Sequence, residues 1–583
     1  MKVLQKICFI VAAVAAFTCS AAAFTACDRK GSGLTQEVDP TRTQLYVSNY
    51  NGGYGNEWLH SAIRRFEEKY AEVPYETGKK GVQVMVMDSK NVGTSVLSTI
   101  SSSPAEVFFT EGVYMSDFVK GGYVEDITDI VTEKLTDYGE NKSIEEKLTD
   151  AQKDYFGMLE SDNKVHYYML PHYQSFRGLI YDVDLFNEEK LFIAKNGAPS
   201  ETMQEGGSFT EYKFTNEKGE RSAGPDGEYG TYDDGLPATY QEFYALCDRM
   251  GSKGIVPISY SGAVQVYYDD FLTALEADVE GLSNMMANYN FSGEVSSVVD
   301  LTTLSSDGLS YRLADPFQMS NREGYMMARV EGKLKALQFT ESLIRGGKYG
   351  SYFSSNCFDS TSNIENQSQY LYGRYGGDKV IAMIVEGSFW ENEAAGVFES
   401  MEIKLGEQTG RYARRFAYMP FPKADDKRIG ERLTLVDSLL SAGFIKSGLP
   451  DYKNEIAKNF LQFVNTDVSL REFNVLTGAP KSLEYELTKE DLGKISYFGK
   501  SLINIRNDEN TDIVYPASSN AIYRSSPSSF FSDAEWNAVI NGSPYSHPQQ
   551  VMHDVGFSAV QMFKGISNRL TEEAWKNAYS SFF

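Results

Sequence analysis

The segment Gln44-Leu45-Tyr46-Val47-Ser48-Asn49 alternates apolar and polar residues with the two-residue period of a half-buried strand. A glycine-rich turn, Asn51-Gly52-Gly53-Tyr54-Gly55, follows and leads to Asn56, a residue type suited to a helix N-cap. Trp58, Leu59, Ala62, Ile63, Phe66 and Tyr70 then recur at helical spacing. Val82, Val84 and Val86 predict a second strand; Val92, Val96, Leu97 and Ile100 predict a second helix; Glu106 to Phe109, after Pro104, predict a third strand. Tyr114 to Lys120 reads as a short helix stopped by Gly121-Gly122. This alternation is the grammar of a parallel α/β sheet, whose ligands bind beyond the carboxyl ends of the strands. Residues 50–55 and 110–114 are therefore expected at a cleft.

The N-terminus carries a different pattern. Lys2 and Lys6 precede an Ala-rich apolar run over 7–23, followed by Phe24-Thr25-Ala26-Cys27, the order of an export signal. The run is too weakly apolar to span a bilayer, which takes roughly 20 predominantly apolar residues. Phe24 to Cys27 resembles the bacterial lipobox, which implies a signal peptide over 1–26 and a diacylglycerol on Cys27. The polar stretch 27–42, with Gly31, Gly33 and Pro40, reads as a flexible tether.

At 583 residues the chain exceeds one ordinary core, so two or more lobes are expected. Its formal charge of −25 becomes −27 once Lys2 and Lys6 leave with the signal. A field of that sign repels nucleic acid and anionic headgroups, so membrane attachment falls to the lipid. Only Cys247 and Cys357 remain beyond the signal and anchor, which is no disulfide scaffold; two reduced core thiols are favoured over a single bridge between them.

Several segments, in order, resemble the extracellular solute-binding proteins of carbohydrate ABC importers, the family of maltose-binding protein. They are Phe66-Glu67-Glu68-Lys69-Tyr70; Ala105-Glu106-Val107-Phe108; Gly122-Tyr123-Val124-Glu125-Asp126-Ile127-Thr128; and Leu170-Pro171 with Gly178-Leu179-Ile180-Tyr181-Asp182-Val183-Asp184-Leu185-Phe186. Gly254 to Ile258, Ala382 to Trp390 and a helix expected from Asp451 to Asn474 continue the series. Glu106, Asp126 and Asp182 depart from the usual Asp, Pro and Asn. The resemblance implies a two-lobed, periplasmic-binding-protein-like α/β fold of type II. One lobe would take 43–172 plus 436–479, the other 173–435 plus 480–583, with an insertion at about 208–239. Crossovers are implied near 173–177, 437–441 and 479–482. It also implies a monomer that hands an oligosaccharide or other small polar solute to permease subunits, with no required cofactor.

Sugars offer apolar C–H faces and hydroxyls, so their sites combine aromatic rings with a few polar groups. By position the candidates are Tyr54 and Trp58 after the first strand, Glu111 and Tyr114 after the third, and Tyr173 and Phe176 at the implied first crossover. Tyr260, Tyr267 and Tyr268 follow the strand at Pro257-Ile258, and Asp437 is a second candidate acid. Trp58 also begins the apolar face of its helix, a core role of equal standing. The family's stacking tryptophan maps onto Trp390, with Phe389 as its neighbour and rival.

Within the insertion, Asp226, Glu228, Asp233 and Asp234 alternate with glycines. Such spacing suits either an acidic surface turn or a structural calcium loop of hard oxygen ligands. The turn is favoured, because the EF-hand pattern is absent. The competing class is a surface glycoside hydrolase, which needs two opposed carboxylates. His60, His166, His172, His547 and His553 form no H-E-x-x-H pattern, and no G-x-S-x-G elbow or phosphate loop is present.

Overall fold

The computed structural model describes residues 37–195, 212–525 and 535–583. The expected signal peptide, Cys27 and the first residues of the insertion lie outside the described residues. Strand β1 (Thr43–Tyr50) buries Thr43, Leu45, Val47 and Asn49, every second side chain, as its alternation predicts. It pairs in parallel with β2 (Val82–Ser89), Thr43 opposite Val82 and Tyr50 opposite Ser89, and on its other edge with β3 (Val107–Thr110). Helices α1 (Glu57–Lys69) and α2 (Gly93–Thr99) connect these strands, and α3 (Met115–Lys120) follows. Asn56 stands at the N-cap of α1, yet its side chain does not cap. It accepts from Asn49 Nδ2 at 2.7 Å and donates to Asp88, tying the turn to two strand ends. The last residues of the expected tether are likewise bonded down, Asp39 N–H to Gln83 at 2.8 Å and Gln83 Nε2 to the Glu37 carbonyl at 2.9 Å.

Helix α4 (Asp150–Phe156) opens with a capping box from Thr149 and Gln152, and β4 (Met169–Pro171) follows. Then β5 (Arg177–Asp182), β6 (Val256–Ser259), β7 (Ile381–Gly387) and β8 (Phe416–Met419) build a second sheet in the order β6-β7-β5-β8. Every residue of β5 and β7 is buried; their continuous apolar runs lack alternation because both faces are covered. Helix α5 (Val266–Asn290), broken at Gly281, packs on α6 (Glu331–Arg345). The chain returns through β9 (Leu433–Val436) to β10 (Ala442–Ile445), which completes the first sheet as β2-β1-β3-β10-β4 and runs antiparallel to β3 and β4.

Against β10 lies α7 (Asp451–Phe463), followed by α8 (Asp467–Thr477). The single helix expected from Asp451 to Asn474 is thus two. Thr466 starts the second by accepting the Ser469 N–H, a local bond that competes with continuation of the first. After α8, β11 (Thr511–Val514) pairs in parallel with β9. Each sheet has its own core, Leu45, Phe66, Phe108 and Phe444 in one, Leu179, Phe271, Met383 and Trp390 in the other. Cys247 and Cys357 are buried free thiols. Among the described residues no helix is long and apolar enough to cross a membrane.

Candidate functional site

Three segments run side by side between the two cores: Tyr173 bridges to Lys481, and Phe176 to Asp437. Around them several of the expected residues converge. The Tyr54 hydroxyl lies 2.7 Å from Ser388 Oγ and donates to the Gln174 carbonyl at 3.2 Å. Its ring meets Tyr173 at 4.4 Å and Phe389 at 6.0 Å. The two bodies touch closely here, for a Cβ on Gly53 would fall 2.7 Å from Phe389. Tyr173 donates its hydroxyl to Glu111. Burial pushes the Glu111 carboxyl up to about 7, against the pull of that bond and of Arg177. Asp437 accepts the Ser175 N–H at 3.0 Å, and burial lifts it to about 7 as well.

Other candidates fall elsewhere. Trp390 is 0% exposed, packed by Phe416 at 5.0 Å, Phe498 at 5.7 Å and Phe398 at 5.8 Å. It offers no face to a cleft, and the family position assigned to it belongs to the core; its neighbour Phe389 turns towards the other lobe. Tyr260 and Tyr268 are also 0% exposed, paired at 4.7 Å in the second core, where Tyr268 bonds Thr340. Strand β6 ends in that core, so following it does not lead to the cleft. Trp58 packs between Phe109 and His172, the core role of its helix face.

Between the bodies lies a cavity of about 170 Å³, bounded on the first-lobe side by Gly112 and Tyr114 and on the second by Arg177, Asp270, Lys333 and Tyr289. Of the sequence candidates only Tyr114 lines it. Arg177, at the start of β5, donates Nε to Asp270 at 3.0 Å and sits over the rings of Tyr267 at 3.9 Å and Phe389 at 4.6 Å. Its Nη1 is buried and makes no hydrogen bond among the described residues. Burial lifts Asp270 to about 6 although Arg177 pulls it down. Lys333 donates to Glu276 at 2.7 Å and to Glu535 at 3.1 Å. Burial works against its ammonium, and the two carboxylates outweigh it, holding its pKa above the usual value. The wall thus presents polar groups fixed by one another beside the rings of Tyr114 and Tyr289, an arrangement that can bond hydroxyls and pack against C–H faces. These charged residues come from distant segments and carry no local motif. Arg177 alone had a positional signal, at the end of the first implied crossover.

The acidic loop is satisfied internally. The Asp226 N–H donates to Asp233 at 3.1 Å, the Glu228 N–H to Asp226 at 2.7 Å and the Gly230 N–H to Asp234 at 3.0 Å. Gly224 has φ 68°, and a Cβ there would meet the Asp233 carbonyl at 2.5 Å. Among the described residues no group of three or more His, Cys, Asp or Glu is placed to hold a metal ion. Asp226, Glu228, Asp233 and Asp234 do not fit the calcium reading; their loop is a turn closed by its own carboxylates.

Two α/β bodies, joined by adjacent crossovers around a polar and aromatic cavity, make a two-lobed α/β fold. Residues 52–311 match the family model of bacterial extracellular solute-binding proteins. Solved structures agree in fold. Apo RafE from Streptococcus pneumoniae is 14% identical, with 93% of this chain and 100% of that chain covered at a TM-score of 0.51. A chitin oligosaccharide binding protein is 12% identical, with 92% and 99% covered at 0.52. RafE in complex with raffinose is 14% identical, with 90% and 98% covered at 0.50. No curated protein matches the sequence.

Proposed function

We propose that this protein captures a sugar or oligosaccharide outside the cell and delivers it to the permease of an ABC importer. The observation that carries the reading is the interlobe cavity, where Arg177–Asp270 and Lys333–Glu535 set fixed donors and acceptors beside the rings of Tyr114 and Tyr289. Pairing of Arg177 and Lys333 with carboxylates favours hydroxyl recognition over capture of an ion. RafE with raffinose and the chitin oligosaccharide binding protein support a carbohydrate by analogy of fold. In this reading the lobes are 43–172 plus 436–479 and 173–435 plus 480–583. Tyr54, Glu111, Tyr173, Phe389 and Asp437 couple lobe closure to the hinge, and Cys27 carries the lipid that keeps the protein at the outer face of the membrane. The protein binds its sugar without altering it.

A thermal-shift and calorimetric screen against saccharides tests this, because a ligand that binds only the native state raises apparent stability. Saturable binding with the sugar recovered intact is expected. Recovery of a cleaved sugar would move the reading to a glycoside hydrolase, and no response to any carbohydrate would remove it.

A further inference from the structure

The segment from Tyr515 to Ser525 crosses the space between the lobes. It leaves the second lobe from β11 and stays tied to the end of α5, where Ser518 Oγ donates to the Tyr289 carbonyl at 2.8 Å and Asn520 Nδ2 to the Asn290 carbonyl at 3.0 Å. On its other side it is fastened to the first lobe. Ser519 donates its N–H and hydroxyl to the Asp154 carboxylate at 2.8 and 2.6 Å. Arg524 Nη2 reaches the carbonyls of Asp154, Tyr155 and Gly157 at 3.2, 2.8 and 3.2 Å. Those carbonyls belong to the C-terminal end of α4, where unpaired acceptors and the negative end of the helix dipole suit a guanidinium. Lys120 and Ser116 in turn donate to the Arg524 carbonyl at 3.1 and 2.8 Å.

Two residues of this strap, Pro516 and Tyr523, form part of the cavity wall. They are joined to each other, for the Tyr523 hydroxyl donates to the Pro516 carbonyl at 2.7 Å. Tyr523 is 3% exposed, its ring wedged between those of Tyr155 and Tyr289, each at 6.2 Å. This side of the cavity is therefore covalent chain bonded to both lobes, with a braced ring facing inwards, and offers no exit for a polymer. The space is small as well: at about 170 Å³ it falls below the roughly 300–1,000 Å³ of pockets that take drug-sized ligands.

We propose that the strap 515–525 makes the cleft a one-ended pocket that selects mono- and disaccharides, with Tyr523 as the residue that stops a longer chain. The inference rests on the carbohydrate reading above and narrows it.

The test uses the full chain and size-fractionated mono-, di-, tri- and tetrasaccharide pools from hydrolysed starch, chitin, xylan and galactan, followed by calorimetry on single members of the active pool. Mono- or disaccharides should bind at least tenfold more tightly than the tetrasaccharide of the same series. Tyr523→Ala should narrow that gap, and Arg524→Gln, which loosens the strap without touching the cavity, should narrow it in part. Tetrasaccharides that bind the wild type as tightly as disaccharides would overturn the size limit while leaving the carbohydrate reading intact, as would an unchanged gap in both folded variants. Absence of binding in every pool would remove the carbohydrate reading, and this inference with it.

Discussion

Lys481 Nζ lies 2.7 Å from His172 Nδ1 at the point where two crossovers meet. Both side chains are buried, at 1% and 3% exposure, under the rings of Trp58 and Phe473, and Lys481 makes no ion pair among the described residues. Burial lowers the pKa of each well below its usual value, and for His172 the neighbouring ammonium adds to the effect. The folded pair therefore carries fewer protons than the unfolded chain. For His172 the sign follows: below about 6.5, its usual pKa, the unfolded chain takes up a proton the folded one refuses, so stability falls on acidification. Replacing both residues, His172→Phe with Lys481→Met, should flatten that fall, read by urea denaturation at pH 5.5 and 7.5. Lys481→Met alone leaves the imidazole unpaired and should cost about 1–3 kcal/mol. Parallel pH dependences in wild type and double variant would show that the pair titrates normally.

Asp437 gives the opposite slope. Its folded pKa is raised to about 7 by burial, despite the Ser175 N–H and Arg506. The folded protein holds a proton that the unfolded chain releases above about 4, so this residue's contribution declines as pH rises from 4 to 7. Asp437→Asn keeps an oxygen for Ser175 and removes the ionisation. The variant should gain on wild type between pH 4 and 7.5, by at most about 4 kcal/mol at 1.36 kcal/mol per pH unit. An equal difference at both pH values would show an ordinary carboxylate.

The first lobe was largely legible because β1, α1 and β2 each bury one face and so write their period into the sequence. The strand-end rule brought Tyr54, Glu111 and Tyr114 to the space between the lobes. It did not reveal the cavity wall, because Arg177, Asp270 and Lys333 are single charged residues among 55 basic and 80 acidic ones, joined only by the fold. Nor could adjacency decide between Phe389 and Trp390. The turn after β7 sends one ring to the other lobe and the next into the core, and both suit an aromatic.

That placement makes Trp390→Ala a folding variant. Truncating a fully buried tryptophan should cost about 3–5 kcal/mol, with saccharide affinity per folded molecule unchanged. Denaturation curves and calorimetry on the same preparations separate the two effects. A variant of wild-type stability that no longer binds would return Trp390 to the site.

Cys27→Ala should leave the protein unprocessed or free of the membrane fraction, since the thiol is the only acceptor the lipobox-like Phe24-Thr25-Ala26-Cys27 offers. Mass spectrometry of the mature N-terminus decides this. An unlipidated terminus downstream of Cys27 in the wild type would end the anchor reading.

Arg177 is the residue on which the cavity's electrostatics turn. Its guanidinium is 4% exposed, bonded through Nε to Asp270 and held between the rings of Tyr267 and Phe389. Removing its counter-charge with Asp270→Asn strands a buried cation and should destabilise the protein by about 3–5 kcal/mol. Arg177→Met fails differently, because the remaining acid can neutralise itself by taking a proton. Asp270 is already raised to about 6 by burial, and without Arg177 it rises further. A folded pKa above the unfolded value means that the variant's deficit is small near pH 5 and grows towards pH 8, as the unfolded chain ionises and the folded one resists. Arg177→Met should also weaken saccharide binding at least tenfold at either pH, because it removes a guanidinium from the cavity wall. Stability and affinity measured at pH 5 and 8 keep these effects apart. A pH-independent deficit would show that Asp270 is solvated in the variant, and unchanged affinity would remove Arg177 from the ligand site.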